Sequence, residues 1–341
     1  MSKNIAVIGA GSFGTCLAIL LAGKGYRVRL WVFEEDLARE MAEQRRNSIY
    51  LPDYELPNNV QPSNDLEQVL QDAELILQVM PSHVVRSVIE DAYRYFPADV
   101  PIVSASKGIE NESLMSVDEI MFDTLPGRFH KMLAYISGPS FAKEVAAGIP
   151  TAVVAASREL EVAQAVQEVF STPTFRVYTS QDVIGVELGG ALKNVIAVGA
   201  GVSAGLGLGL NTQAALVTRG LAELTRLAVH KGANPLTLSG LAGMGDLVLT
   251  CYGELSRNRT VGFKLGQGMK IDEILASMKM VAEGVKTTKS TYDISRQENV
   301  EMPITDQMYR IIYEDANPGD AVFALMTRSL KHELEHDLNP Q

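Results

Sequence analysis

The chain has 341 residues, a length that exceeds the usual single domain and therefore predicts two. Hydrophobic residues make up 46% and charged residues 21%, the balance of a folded globular protein rather than a disordered one. The net charge of −11 argues against a nucleic-acid partner, which would require a basic face. Only Cys16 and Cys251 are cysteines, so we expect neither a disulfide framework nor a zinc site. A core strand within the first residues leaves no room for a secretory signal, and the expected compartment is the cytoplasm.

The glycine-rich stretch near the N-terminus is the strongest local signal. An apolar run over 5–8 is followed by Gly9, Gly11 and Gly14, and a helical pattern covers 12–24. In a strand–turn–helix unit, the first glycine permits the turn, the second lets backbone approach a pyrophosphate, and the third lets the helix pack on the strand. The phosphates would then meet the N-terminus of the helix. This placement predicts a dinucleotide site.

Strand and helix patterns alternate through the first half of the chain. The strand patterns cover 5–8, 28–32, 75–79, 101–105, 133–136, 151–155 and 175–178. The helical patterns cover 12–24, 35–46, 65–71, 84–95 and 158–170. Such alternation implies βαβ units, and so an α/β fold with a mostly parallel, doubly wound, Rossmann-like sheet.

No strand pattern follows residue 182. The remaining helical patterns cover 184–204, 212–231, 258–267, 271–279, 284–297 and 303–315. We therefore predict an NAD(P)-binding Rossmann-like domain over 1–182 and an all-helical substrate and catalytic domain over 183–341.

One uncharged segment, from Val195 to Thr218, raises the question of a membrane span. Gly201, Gly205 and Gly209 recur at four-residue spacing, which is also a transmembrane packing pattern. The many glycines, followed by polar residues over 211–213, do not suit insertion into lipid. We predict a buried, closely packed helix and turn, with no membrane insertion.

Three charged residues that follow the second strand bear on the choice of cofactor. Glu34 lies about 20 residues past the last glycine, where an acidic residue binds the ribose 2′-hydroxyl of NAD. The alternative is that Glu34 only begins an exposed helix, where its charge suits the dipole. Arg45 and Arg46 are near enough in sequence to contact a 2′-phosphate. The cofactor is therefore NAD or NADP.

Isolated polar residues in apolar surroundings mark the candidate catalytic residues. Lys193 is the only charged residue between Leu188 and Thr218, with Asn194 beside it, and a buried lysine has a lowered pKa and exchanges protons readily. The alternative for Lys193 is a stem that packs while its ammonium reaches water. Lys107 follows a strand and could equally be a surface lysine, and Asp246 could simply cap the next helix.

These residues together resemble a known family. The chain is similar to the bacterial-type NAD(P)-dependent glycerol-3-phosphate dehydrogenases. The matching motifs occur in family order and comprise Gly9–Gly14, Ser106–Gly108, Ser137–Ala142, Glu187–Asn194, Gly243–Asp246 and Ser256–Asn258.

The resemblance implies a role for each site residue. Lys193 is the general acid/base at the substrate C2 oxygen, and Asp246 and Thr250 complete the polar site around it. The implied substrate contacts are Lys107, Gly138, Ser140, Lys193, Asn194, Asp246, Ser256, Arg257 and Asn258, with the phosphate held by Arg257 and Asn258. The implied cofactor contacts are Gly9, Gly11, Ser12, Phe13, Gly14, Phe33, Glu34, Lys107, Ala142, Arg257, Val281 and Glu283. Phe33 departs from the polar or basic residue of many relatives, which puts NADP preference in doubt.

The resemblance also implies the reaction and its setting. It indicates that the protein interconverts sn-glycerol 3-phosphate and dihydroxyacetone phosphate, and that this reaction supplies glycerol 3-phosphate for phospholipid synthesis. It also indicates a cytoplasmic homodimer. A 3-hydroxy acid or ketopantoate-type dehydrogenase is the nearest alternative, and its carboxylate substrate would need a different clamp from Ser256–Asn258. A second alternative is a non-catalytic NAD(P)-binding module, which would need neither Lys193 nor Asp246.

Overall fold

The computed structural model describes residues 3–278 and 282–333. Within them the chain forms two compact units. The first contains the chain up to Lys107 together with Val117–Val183, and the second contains Gly108–Ser116 together with the chain from Ile184 onward. A division at residue 182 remains our proposal for the domains, but the packing of Gly108–Ser116 with the second unit has no signal in the sequence.

The first unit is built on an eight-stranded sheet. Its strands are β1 (Asn4–Ile8), β2 (Arg27–Trp31), β5 (Val60–Ser63), β6 (Leu75–Gln78), β7 (Ile102–Ser104), β8 (Leu133–Ser137), β9 (Thr151–Ala156) and β10 (Phe175–Ser180), and β3 (Arg46–Asn47) pairs separately with β4 (Leu51–Glu55). The order β5-β2-β1-β6-β7-β8 is parallel and matches the doubly wound Rossmann arrangement. β9 joins β8 antiparallel, and β10 is parallel to β9. The predicted fold class is confirmed.

Helices cover this sheet. They are α1 (Ser12–Gly23), α2 (Glu35–Gln44), α3 (Leu66–Leu70), α4 (Ser82–Ala92), α5 (Val117–Thr124), α6 (Ala142–Ala146) and α7 (Leu160–Phe170). The core consists of the apolar strands and the inner faces of α1 and α7. The sequence analysis missed β5, the β3–β4 pair, α5 and α6. These are short, and β5 carries Pro62 at the sheet edge, so their patterns are too brief to read.

From Ile184 onward, the described residues of the second unit form helices and connecting loops, and its Gly108–Ser116 segment forms an isolated antiparallel bridge between Ile109 and Ser116. Its helices are α8 (Val183–Gly205), α9 (Leu210–His230), α10 (Pro235–Leu238), α11 (Asp246–Tyr252), α12 (Arg257–Gly266), α13 (Ile271–Ala276), α14 (Glu283–Gln297), α15 (Pro303–Tyr313) and α16 (Pro318–Met326). A π-helical turn, Leu241–Gly245, leads directly into α11. The short α10 and α11 and the terminal α16 were not predicted.

Helix α8 is long and apolar enough to cross a membrane, but 89% of its most apolar stretch is buried inside the protein. It is a core helix, as predicted. Glycines on both helices let α8 and α12 pack closely: a Cβ on Gly201 of α8 would lie 2.1 Å from the carbonyl oxygen of Arg259, and one on Gly262 of α12 would lie 1.9 Å from that of Val198. The two backbones are therefore in direct contact. Gly209 takes no part, because it precedes α9 and has open space around it.

Candidate active site

The glycine-rich turn is shaped as the sequence predicts. Gly9 has φ +111°, and a Cβ there would lie 2.4 Å from the carbonyl oxygen of Val79. A Cβ on Gly14 would lie 2.0 Å from the carbonyl oxygen of Gly9. Both positions therefore require glycine, whereas Gly11 has no atom within 4 Å of its Cβ position. Gly11 thus opens onto free space at the carboxyl end of β1.

The N-terminus of α1 fits a pyrophosphate. Gly11 is its N-cap and supplies no side-chain cap, so the first turn presents backbone N–H groups and the positive end of the dipole. Ser12 donates a hydrogen bond from Oγ to the carbonyl oxygen of Tyr50 (2.7 Å), and the partly buried Phe13 packs against the core. These features suit the diphosphate of NAD or NADP.

Glu34 makes a contact that the sequence did not reveal. It is the N-cap residue of α2, but its carboxylate accepts no capping bond from that helix. Instead its Oε1 accepts a hydrogen bond from the Tyr50 hydroxyl at 3.0 Å. Partial burial and this bond raise the pKa of Tyr50, which keeps the phenol a donor. The neighbouring Phe33 is 73% exposed.

Arg45 is already engaged by backbone carbonyls. It ends α2 in the left-handed conformation and its Nη2 donates to the carbonyl oxygen of Val60 at 2.8 Å and to that of Pro57. Arg46, the first residue of β3, is exposed. Of the two arginines that the sequence offered for a 2′-phosphate, Arg45 serves instead to tie α2 to the segment before β5.

A buried polar network joins the carboxyl ends of β6 and β7. Gln78 donates from Nε2 to Ser104 Oγ (2.5 Å), and Ser106 donates from Oγ to Gln78 Oε1 (2.8 Å). The Met80 amide donates in turn to Ser106 Oγ (2.9 Å). Ligands of doubly wound sheets bind at this edge, so the network fixes the loops there.

Lys107, Gly138 and Ser140 lie together at the same edge. Lys107 Nζ donates to the carbonyl oxygen of Gly138 at 3.1 Å, and Ser140 Oγ donates to the same oxygen at 3.0 Å. Gly138 has φ +140°, and a Cβ there would lie 3.0 Å from Val153 Cα, so the strand end must be glycine. Ala142 begins α6 immediately after this turn. The structure thus groups these predicted residues within the first unit.

In the second unit, Lys193 has its ammonium group buried. Its side chain is 8% exposed, and Nζ donates to Asp246 Oδ1 at 2.6 Å and to Thr250 Oγ1 at 2.7 Å. Thr250 Oγ1 donates to the carbonyl oxygen of Asp246 at 2.6 Å, one turn earlier in α11. The alternative that the Lys193 ammonium reaches water is wrong. Asp246 compensates its charge, as a buried ammonium requires.

Glycines place Asp246 beside Lys193. The π-helical turn before Asp246 packs on α8 one turn before Lys193: a Cβ on Gly189 would lie 2.6 Å from the carbonyl oxygen of Ala242. A Cβ on Gly243 would lie 2.0 Å from the carbonyl oxygen of Leu238. Such π turns concentrate at functional sites.

Asn194, Asn258 and Gly284 connect three helices. Asn258 donates from Nδ2 to Asn194 Oδ1 (2.8 Å) and accepts the Gly284 amide at Oδ1 (2.9 Å). The Asn258 amide that the sequence offered to a phosphate is therefore also a structural link between α8, α12 and α14.

The start of α12 carries the candidate anion site. Ser256 is its N-cap and accepts the Arg259 amide at 3.2 Å, and Arg257 is its first residue. Much of the Arg257 side chain is exposed, yet crowding around its guanidinium lowers the pKa and nearby Glu283 opposes that shift. Arg257 stays cationic at neutral pH. Val281, a predicted cofactor contact, lies outside the described residues.

Cys251, near Lys193 and Asp246, is a buried free cysteine. Burial raises the pKa of its thiol to about 12, with Asp246 adding to that shift and Lys193 opposing it. Among the described residues, no group of three His, Cys, Asp or Glu side chains could hold a metal ion.

Two family models match this chain. Residues 4–163 match the family model for the NAD-dependent glycerol-3-phosphate dehydrogenase N-terminus, and residues 182–323 match that for its C-terminus. The chain belongs to this family. It is 54% identical over 330 residues to a glycerol-3-phosphate dehydrogenase (NAD(P)+) of Leptospira biflexa, covering 97% of this chain and 99% of the relative.

Solved structures share the fold. A glycerol-3-phosphate dehydrogenase from Coxiella burnetii aligns with a TM-score of 0.91 at 40% identity, over 96% of this chain and 99% of that one. A ketopantoate reductase from Ralstonia eutropha aligns with a TM-score of 0.60 at 14% identity, over 94% of this chain and 100% of that one. The second likeness shows the fold alone.

Proposed function

We propose that this chain catalyses the NAD(P)-dependent interconversion of dihydroxyacetone phosphate and sn-glycerol 3-phosphate. The observation that carries the proposal is the buried Lys193–Asp246–Thr250 group, in a chain of this family. A protein that only bound NAD(P) would have no use for a buried ammonium held between a carboxylate and a hydroxyl. Membership of the family favours this activity over the ketopantoate-type alternative.

Lys193 is proposed as the general acid and base. In the direction of reduction, its ammonium donates a hydrogen bond to the C2 carbonyl oxygen, polarises that carbonyl, and gives it a proton. In the direction of oxidation, the neutral amine takes the proton from the C2 hydroxyl. Asp246 and Thr250 orient Nζ, and the Asp246 carboxylate balances its charge, so that the ammonium is available inside the protein.

The phosphate group is proposed to bind at the start of α12. Arg257 offers a planar guanidinium that can bond two phosphate oxygens, and the helix N-terminus adds backbone N–H groups. Ser256 and Asn258 lie on either side of it in sequence, and Asn258 is bonded to Asn194, the residue after Lys193. Binding energy at the phosphate can thus orient the reacting carbon near Lys193.

The first unit is proposed to hold the cofactor. NADH or NADPH, when bound, supplies the hydride that adds to C2. Gly9, Gly11, Ser12, Phe13 and Gly14 would hold its diphosphate, and Phe33 and Glu34 its adenosine ribose. The further proposed cofactor contacts are Lys107, Ala142, Arg257, Val281 and Glu283. Lys107, Gly138 and Ser140 would also contact the substrate.

The setting is part of the same proposal. We expect a cytoplasmic homodimer that supplies glycerol 3-phosphate for phospholipid synthesis. The support is the resemblance to the family, together with the exposed apolar side chains of Phe323 and Met326 on α16. Light scattering coupled to size-exclusion chromatography measures the mass directly, and a monomer at micromolar concentration would refute the dimer.

The first experiment follows the absorbance of reduced nicotinamide with three substrates. Dihydroxyacetone phosphate should be reduced rapidly, and unphosphorylated dihydroxyacetone and ketopantoate should react at least about 100-fold more slowly in kcat/KM, since they lack the phosphate. Preferential reduction of ketopantoate would contradict the proposal.

A second experiment tests Lys193. Lys193→Ala alone leaves Asp246 buried without its partner, so the double variant Lys193→Met with Asp246→Asn is the better probe. We expect kcat to fall at least about 100-fold while cofactor binding, measured by fluorescence titration, persists. Lys289→Ala is the control and should keep its activity, because Lys289 is a half-buried lysine on α14 that pairs with Asp293 of its own helix. Near-normal turnover in the double variant would remove Lys193 from its role.

A further inference from the structure

The carboxylate of Glu34 is held in place from outside its own helix. As the N-cap residue of α2 it could bond the free amides of the first turn, but it does not. The Tyr50 hydroxyl donates to it instead. The alternative interpretation, in which Glu34 serves only to begin α2, therefore does not account for the position of its carboxylate.

Tyr50 is tied to the glycine-rich turn at its own backbone. Its carbonyl oxygen accepts from Ser12 Oγ at 2.7 Å, and its amide donates to Asn47 Oδ1 at 3.0 Å. The fully buried Asn47 donates from Nδ2 to the carbonyl oxygen of Ala10 and to Thr15 Oγ1, each at 2.8 Å. The phosphate-binding turn and the Glu34 carboxylate thus belong to one hydrogen-bonded assembly, in which Tyr50 is the link.

The charges around Glu34 are unfavourable for a second phosphate. Glu34, Glu35 and Asp36 follow one another at the start of α2. Arg39 lies 3.5 Å from Glu35 and 3.4 Å from Asp36, so its charge is already shared between them. Arg45 is bound by backbone carbonyls, and Phe33 carries no charge. A ribose hydroxyl can donate to a carboxylate, whereas a 2′-phosphate, with a charge of about −2, would be repelled by it.

We propose that this chain selects NADH over NADPH, with Glu34 as the specificity-determining residue and Tyr50 as the residue that positions it. The inference rests on the proposed function only in that the protein must bind a dinucleotide at the glycine-rich turn. The Tyr50 bond restrains the Glu34 carboxylate, so less side-chain freedom is lost when the carboxylate accepts the ribose hydroxyl.

The test is a fluorescence titration of the substrate-free protein with NADH and with NADPH. The wild type should bind NADH at least about 10-fold more tightly. Glu34→Gln should lower that ratio about 10-fold, because it removes the charge that repels the 2′-phosphate and weakens the bond to the hydroxyl. Tyr50→Phe should lower the ratio several-fold and leave the thermal midpoint of the cofactor-free protein nearly unchanged, because its hydroxyl contact is at the surface.

Two control variants make the test specific. Glu43→Gln removes an exposed carboxylate near the end of the same helix and should leave the ratio unchanged. Arg46→Ala should also leave the ratio unchanged; if it raises the preference for NADH, Arg46 binds the 2′-phosphate and the inference is overturned. A wild type that binds NADPH as tightly as NADH, or a Glu34→Gln variant with an unaltered ratio, would overturn it as well. Rapid reduction of dihydroxyacetone phosphate with both cofactors would leave the proposed activity standing.

Discussion

Arg257 concentrates positive charge at the start of a helix in a protein of net charge −11. An acidic chain can bind an anionic substrate only where such a local cation outweighs the overall field. At the proposed phosphate site the guanidinium and the helix N-terminus lie together, so we expect phosphate binding to depend on this one side chain more than on the surface as a whole.

Substitution of Arg257 should therefore act on binding. We expect Arg257→Ala to raise KM for dihydroxyacetone phosphate by about 100-fold, with a smaller effect on kcat, because a bidentate charged contact is lost. The residual rate with unphosphorylated dihydroxyacetone should not change, which separates the phosphate contact from damage to the fold. Lys264→Ala, in the last turn of the same helix, is the control. An equal loss with both substrates would contradict the assignment.

Some of the site residues could be predicted from the sequence, and others could not. Lys193 and Asp246 could be singled out because charged residues in apolar or glycine-rich stretches are conspicuous, and the structure places them 2.6 Å apart. Tyr50 and Asn47 carry no such signal. They lie in an ordinary polar segment, and their importance comes from contacts with Glu34 and Ala10 that only the folded chain creates.

Among the elements, α15 begins in an unusual way. Its N-cap, Met302, offers no side-chain acceptor, and its first residue is Pro303. Glu223 of α9 supplies the missing acceptor: its carboxylate accepts the amides of Ile304 (2.6 Å) and Thr305 (3.2 Å). Burial raises the pKa of Glu223 to about 7, and these hydrogen bonds only partly oppose the shift.

The Glu223 contact predicts a pH dependence of stability. The pKa in the folded chain is higher than the ordinary value of 4.5, so the folded state binds the proton more tightly. This contribution to the free energy of unfolding is fully present below pH 4.5 and is lost as the pH rises through about 7, by up to about 1.4 kcal/mol per pH unit.

Glu223→Gln isolates that contribution. The variant loses one acceptor oxygen at every pH, but it cannot titrate. Its free energy of unfolding from urea denaturation, relative to wild type, should therefore improve between pH 5 and pH 7.5. Glu273→Gln, on the exposed face of α13, should track the wild type. A Glu223→Gln difference that is constant with pH would show that the carboxylate does not titrate in this range.

The close contact between α8 and α12 should make substitution of its glycines destabilising. A Cβ at Gly262 would lie 1.9 Å from the carbonyl oxygen of Val198, so Gly262→Ala must push the two helices apart. We expect a loss of at least about 2 kcal/mol in the free energy of unfolding. Gly199→Ala on α8 meets only side-chain atoms, the nearest at 3.4 Å, and should be neutral or stabilising by up to about 1 kcal/mol. Equal effects of the two variants would rule out a backbone contact.

The elements themselves could be predicted where they are long. Strands β1, β2, β6, β7 and β8 of the parallel sheet and the helices α8, α9 and α14 have apolar patterns that can be read from the sequence, whereas the edge strand β5 does not. The π-helical turn and α11 could not be predicted, because Leu241–Gly245 reads as a glycine-rich loop. Its structure depends on close packing against Gly189 of α8, which no local pattern encodes.

Across the whole molecule, each unit contains one buried cysteine: Cys16 in the first and Cys251 in the second. Burial raises the pKa of both thiols to about 12, so almost no thiolate exists at neutral pH. Neither should react with a thiol reagent until its own unit opens.

This arrangement allows the stability of each unit to be measured separately. In Cys251→Ala the rate of labelling reports the opening of the first unit, and in Cys16→Ala it reports that of the second. We expect protection of at least about 1,000-fold relative to the denatured chain in both variants. Rapid labelling of either thiol under native conditions would contradict its burial.

The position of the segment Gly108–Ser116 determines the order in which the two units can fold during synthesis. It belongs to the second unit, where the Ser290 hydroxyl bonds Asn111, 179 residues away in the chain. At about 5–20 residues per second, a ribosome needs roughly 10–40 s to travel that distance. Throughout that time the nascent chain exposes Ile109, an apolar residue that ends up 2% exposed. The first unit can fold once residues 117–183 have been synthesised, whereas the second cannot fold completely until α14 has been synthesised.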